Sequence, residues 1–150
     1  MATRSTIAMK TATGQVQAIY CHWDGYIDHN GKVLMTHYTD PAKVAEMIAL
    51  GDLSSLGELI GEPCDFDDRS TQKNEEGQAQ CVAYARDRGE TGVEPQTFDD
   101  VAQWVDGYDG VEYYYLFNGQ DWLVNKGGEM SNGFPLFDFI EVKLLEEIVS

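Results

Sequence analysis

The pair Asn118-Gly119, set between the apolar, tyrosine-rich residues 111–117 and the run Trp122-Leu123-Val124, constrains this chain more than any other stretch. Asparagine followed by glycine between two such runs is a specific signal for a two-residue hairpin turn, because both residues tolerate the positive φ that the turn demands. A second hairpin is expected near the start. Residues 5–9 form a short extended segment, Thr13 and Gly14 supply a turn, and Gln15-Val16-Gln17-Ala18-Ile19-Tyr20-Cys21 alternates polar and apolar with the period of a half-buried strand. Gln80-Cys81-Val82-Ala83-Tyr84-Ala85 repeats the alternation, so a further strand is expected there.

Helices are expected between these strands. Asp40-Pro41 places a side-chain acceptor at the N-cap and proline in the first turn, with Val44, Met47 and Ile48 at helical spacing and Gly51 as the stop. Asp52 is expected to cap a shorter helix whose Leu53, Leu56, Leu59 and Ile60 face inward. Thr97 with Asp100 three residues on opens another, burying Phe98, Val101, Trp104 and Val105. Residues 135–149 read as a last helix, started by Asp138 with Glu141 and with Ile140, Leu144, Leu145 and Ile148 on its inner face; Phe137 and Phe139 could equally begin a strand. Residues 62–80 are polar and charged and read as an exposed loop. No repeat or linker divides the 150 residues, so one domain over 1–150 is expected: α+β, an antiparallel sheet built from hairpins with three or four helices packed on it.

Charge narrows the partners. The chain carries 26 acidic against 10 basic residues, a formal net charge of −16. Such a charge repels nucleic-acid phosphates and anionic membranes and favours basic protein surfaces. No apolar run approaches the ~20 residues of a membrane span, and no signal-peptide core follows the start, so a cytoplasmic protein is expected. Cys21, Cys64 and Cys81 lack Cys-x-x-Cys spacing and read as reduced thiols. Cys21 and His22 are adjacent and point to opposite faces of a strand, which argues against a metal site or a Cys-His nucleophile. Phosphate-cradle and hydrolase motifs are absent, and no cofactor is expected. Asp28-His29-Asn30-Gly31 reads as a turn with Gly31 at positive φ; aligned as a calcium loop, it would put Tyr26 and Thr36 at ligand positions, which excludes calcium.

Two constellations remain. Residues 89–125 hold eight carboxylates and no Lys or Arg, interleaved with aromatics. Asp99, Asp106, Asp109, Glu112 and Tyr113 are the candidate partner-binding residues, since carboxylates can sit where phosphates would in a basic groove; a solvated acidic surface over an aromatic core is the plainer reading. Tyr20, His22, Trp23, Asp24 and Tyr26 are the alternative: a pocket for a flat, nucleotide-like ligand, or a packed strand corner. In the corner reading Cys21 and Trp23 form the buried pair and His22 is exposed, so truncating Trp23 would cost more stability than truncating His22.

Thr3-Arg4-Ser5-Thr6-Ile7-Ala8, Tyr20-Cys21-His22-Trp23-Asp24-Gly25-Tyr26 and Gly51-Asp52-Leu53-Ser54-Ser55-Leu56-Gly57 together resemble a family of small acidic proteins encoded by phages and prophages. The resemblance covers roughly the first 60 residues and brings no activity with it. It implies a setting: an accessory phage protein inside a host bacterium. In that setting the expectation is a non-enzymatic, counter-defence inhibitor that occupies a basic, nucleic-acid-handling surface of a host protein.

Overall fold

The computed structural model describes residues 3–108, 110–126 and 140–141. Its fold is α+β. Among the described residues eight strands run β1 Ser5–Lys10, β2 Val16–Cys21, β3 Leu53–Ser55, β4 Val82–Ala83, β5 Gln96–Phe98, β6 Tyr113–Phe117, β7 Trp122–Lys126 and β8 Ile140–Glu141. They make one sheet in the order β4-β3-β2-β1-β6-β7-β8, with β5 also on β2. The two expected hairpins are present: β1 and β2 pair antiparallel with Ser5 opposite Cys21, and β6 and β7 with Phe117 opposite Trp122. The second register centres the turn on Gly119-Gln120, one residue later than expected. Gly119 takes φ 101, and Asn118 Oδ1 accepts from the amides of Gln120 and Asp121.

The sheet is mixed rather than purely antiparallel. β1 runs parallel to β6, and β2 parallel to β3 at the single pair Cys21–Leu53. Local periodicity predicts which residues are extended; it carries no information on which distant strand completes each edge. β5 covers the first half of the outer edge of β2, and β3 takes over at its end.

Alternation along the strands divides the core into two layers. Ile7, Ile19, Cys21, Tyr115, Phe117, Trp122 and Val124 face one side, where α1 (Lys32–His37) and α2 (Pro41–Ala49) cover them with Leu34, Val44, Met47 and Ile48. Ala8, Val16, Ala18, Tyr114 and Leu116 face the other, covered by Trp104 and Val105 of α4 (Val101–Gly107). The sheet is thus buried between two helical layers, the arrangement that lets apolar residues occupy both strand faces.

Sequence signals and structure agree at α2, where Asp40 Oδ1 accepts from Ala42 N and Gly51 turns the chain at φ 81. They part at four other places. Residues after Gly51 form β3 rather than a helix, because Asp52 is drawn into the sheet: its Oδ1 accepts from Tyr20 N at 2.9 Å. The strand expected over residues 80–85 stops at Ala83, and Tyr84–Arg88 is a helix, α3. Thr97 lies in β5, and Asp100 caps α4 by accepting from Gln103 N. Gly31 ends a wide helical turn, Ile27–Gly31, at φ −60 rather than at positive φ. It packs under Tyr115, whose ring a Cβ would approach at 3.3 Å. Residues 135–149, expected as a helix with a strand as the alternative, lie outside the described residues except for Ile140–Glu141, which is strand.

Residues 62–80 are mainly exposed, as expected, and among them Arg69–Gln72 forms a short 3-10 turn. Their base is clamped. Arg86 donates through Nη1 to Ile60 O and through Nη2 to Cys81 O, while the carboxylate of Asp87 accepts from Cys64 N, Ala83 N and Arg86 Nε.

Candidate functional site

The antiparallel β1–β2 pair and the parallel β1–β6 pair bring the end of β2, the start of β1 and the start of β6 to one end of the sheet. The chain leaves β2 there into residues 22–26, and its backbone is held from several directions. His22 N and Trp23 N donate to Leu53 O and Ser54 O; Gly25 N donates to Thr3 O at 2.8 Å. Tyr115 OH donates to Gly25 O at 2.7 Å, and Asn30 N donates to Asp24 O. Gly25 is required by close approach: a Cβ would stand 2.8 Å from Thr3 O and 2.9 Å from Ser5 Cβ. Asp24, at φ 58, is the single non-glycine residue with positive φ among the described residues. A short polar side chain adopts this conformation at lower cost than most.

The side chains of this corner sort differently from the expectation. Cys21 is fully buried, but Trp23 is 45% exposed and Tyr26 40% exposed, so the buried Cys21–Trp23 pair does not form. Trp23 lies beyond the end of β2, where strand alternation no longer governs orientation, and the positive φ at Asp24 turns the chain away. The buried partner of Cys21 is Asn30, fully enclosed, whose Nδ2 lies 3.4 Å from Cys21 Sγ, Ser5 Oγ and Trp23 O. Burial pushes the Cys21 thiol up to about 12, the contact from Asn30 only partly opposing it. A thiol held that high is not a nucleophile at neutral pH.

Tyr20, His22 and Trp23 are brought together. Tyr20 OH and His22 Nδ1 share a hydrogen bond of 2.8 Å, and the imidazole meets the indole edge-on at 4.8 Å between centroids. Tyr26 instead contacts His29, at 6.2 Å. Burial raises the Tyr20 phenol above its ordinary value, with the charge of Arg4 opposing it.

Of the acidic candidates, Asp99, Asp106 and Glu112 are exposed, and Asp109 lies outside the described residues. They are not all at one place. Asp99 follows Phe98, which pairs with Val16 at the far end of β2. Asp106 is in the last turn of α4, from which the chain returns to β6 through Glu112, whose N–H donates to Arg4 O. Glu112 and the corner therefore flank residues 3 and 4 at the same sheet end. Tyr113 is turned to the opposite layer from α4, partly buried and stacked on Tyr115 at 6.3 Å.

No family model, curated protein or solved structure matches this chain.

Cys81, buried beside Tyr38 OH at 3.2 Å, is also raised by burial, and all three thiols are free. Among the described residues no group of three or more His, Cys, Asp or Glu is placed to hold a metal ion, and no helix is long and apolar enough to cross a membrane. Sequence reasoning missed Asn30, Tyr115 and Asp52, the residues that fix the corner. Asn30 and Asp52 carry the same residue types as ordinary turn and cap positions. Nothing local distinguishes the tyrosine that reaches across to Gly25 from its neighbours.

Proposed function

We propose that this protein is a non-enzymatic binding protein that presents an acidic surface to a basic, nucleic-acid-handling surface of a host protein. The resemblance of its first residues to phage-encoded proteins supplies the setting, an inhibitor acting in the cytoplasm of an infected bacterium. One observation carries the reading. A chain of net charge −16 leaves Asp99, Asp106 and Glu112 exposed, in a stretch without Lys or Arg. Carboxylates so placed repel nucleic acid and complement a groove built for phosphate.

The test is retention of bacterial lysate proteins on the immobilised protein at rising salt, beside the variant D99K/D106K/E112K. The reading expects basic proteins at low salt, their release as screening increases, and little retention by the triple variant. Equal retention by the triple variant, or retention indifferent to salt, overturns it. A nucleotide-like ligand at Tyr20, His22, Trp23, Asp24 and Tyr26 is the second reading, favoured by the meeting of Tyr20, His22 and Trp23 at one corner. Thermal-shift screening of nucleotides tests it, since a ligand at 100 times its Kd adds ~2.7 kcal/mol. The exposure of Trp23 and Tyr26 fits a presented surface better than an enclosing pocket.

A further inference from the structure

Trp23 and Tyr26 are the exposed large hydrophobic side chains among the described residues. They stand three positions apart on a corner whose backbone is fastened to β3, to residue 3, to Tyr115 and to Asn30. Aromatic side chains on a fixed backbone lose little freedom when a partner covers them, which is why Trp and Tyr dominate interface anchors. Their surroundings define what they can hold. Asp24 and Asp28 lie on the same loop, residues 20–31 contain no Lys or Arg, and among the described residues neither carboxylate is in an ion pair. Exposed rings on a loop that itself carries two carboxylates and no Lys or Arg suit a guanidinium or ammonium group: the rings attract the cation by their quadrupole, and carboxylates accept its N–H donors. The same carboxylates repel a phosphate.

Resting on the reading of a basic protein partner, we infer that this corner is the anchor of that interface and takes an arginine or lysine side chain of the partner. Trp23 and Tyr26 supply the ring faces, Asp24 and Asp28 the opposing charge. Glu112, across residues 3 and 4 at the same sheet end, extends the acidic surface toward α4.

Nona-arginine is a sufficient probe, with the full chain titrated at low salt. Trp104 and Trp122 are buried, so acrylamide quenching of the accessible tryptophan emission reports on Trp23. The expected results are shielding of that emission by the peptide and calorimetric binding about tenfold weaker in W23A/Y26A. A second variant, D24N/D28N, bears no bulk change and is expected to bind at least about threefold more weakly. Circular dichroism of each variant reports its folding. Wild-type affinity in both variants, or quenching unaltered by bound peptide, overturns the inference. If the peptide binds and only D99K/D106K/E112K weakens it, the corner is rejected while the basic-partner reading stands. If nona-arginine does not bind the wild-type chain at all, both fall.

Discussion

At the scale of single residues, the structure separates groups that hold the fold from groups that face outward. Asp87 is the clearest of the first kind. Its side chain has no solvent exposure, and burial alone would raise its carboxyl. The Arg86 guanidinium and the amides of Ala83 and Cys64 outweigh burial and hold it below the usual carboxylate range. The folded state therefore binds this proton more weakly than the unfolded chain does. The stability it contributes is complete above the unfolded value of ~4 and is lost as pH falls through the lowered folded value. Asp87→Asn should cost about 3 kcal/mol at neutral pH in urea melts, because it leaves Arg86 and two amides poorly paired. It should also remove the part of the acid-induced loss that Asp87 causes. An unchanged melt would mean the clamp does not hold residues 60–64. Trp23 is of the second kind. With the indole exposed, Trp23→Ala should change stability by less than about 1 kcal/mol, the reverse of what burial with Cys21 would require. A loss of 3 kcal/mol or more would show that the corner packs in solution.

Individual elements differ in how much of them the sequence disclosed. The first hairpin, α2 and the β6–β7 hairpin were legible because their determinants are local: period-2 alternation, an Asp-Pro cap and an Asn-Gly pair, whose turn falls one residue later than that pair implies. β3 was not. Leu53, Leu56 and Leu59 fit a helical stripe, yet Tyr20 N takes the Asp52 carboxylate and the end of β2 needs an edge partner, so the segment extends instead. Tertiary hydrogen bonding overrode local preference. The corner was legible in part: its unusual composition marked it, but the orientation of Trp23 depends on Asp24, Asn30 and Tyr115, of which the last is 90 residues from Gly25. Gly51 is a point where the structure binds an element tightly. It has φ 81, and a Cβ there would stand 2.4 Å from Val93 O, the same carbonyl that accepts from Asp52 N. Gly51→Ala should cost about 2–4 kcal/mol, through strain at positive φ and displacement of the Val93 backbone. Thermal melts would show it as a large drop in Tm; a drop of a degree or less would mean that the α2–β3 connection is not held as described.

For the whole molecule, charge and architecture act together. Among the described residues two helical layers bury the strand faces, and Trp23 and Tyr26 are the exposed large hydrophobic side chains, so net charge −16 dominates what approaching molecules meet. Reversing Asp99, Asp106 and Glu112 adds six positive units to the net charge without touching either core layer. Folding should survive this change while binding to basic surfaces is lost. As a proposed inhibitor, the protein would place this acidic surface where nucleic acid stands on its partner. The most direct measurement of this is competition: the host protein retained at low salt is loaded with a fluorescent DNA duplex, and anisotropy is followed as this protein is added. Stoichiometric release of the duplex is expected, weakened by salt and absent with D99K/D106K/E112K. A partner that holds the duplex and this protein at the same time would contradict it.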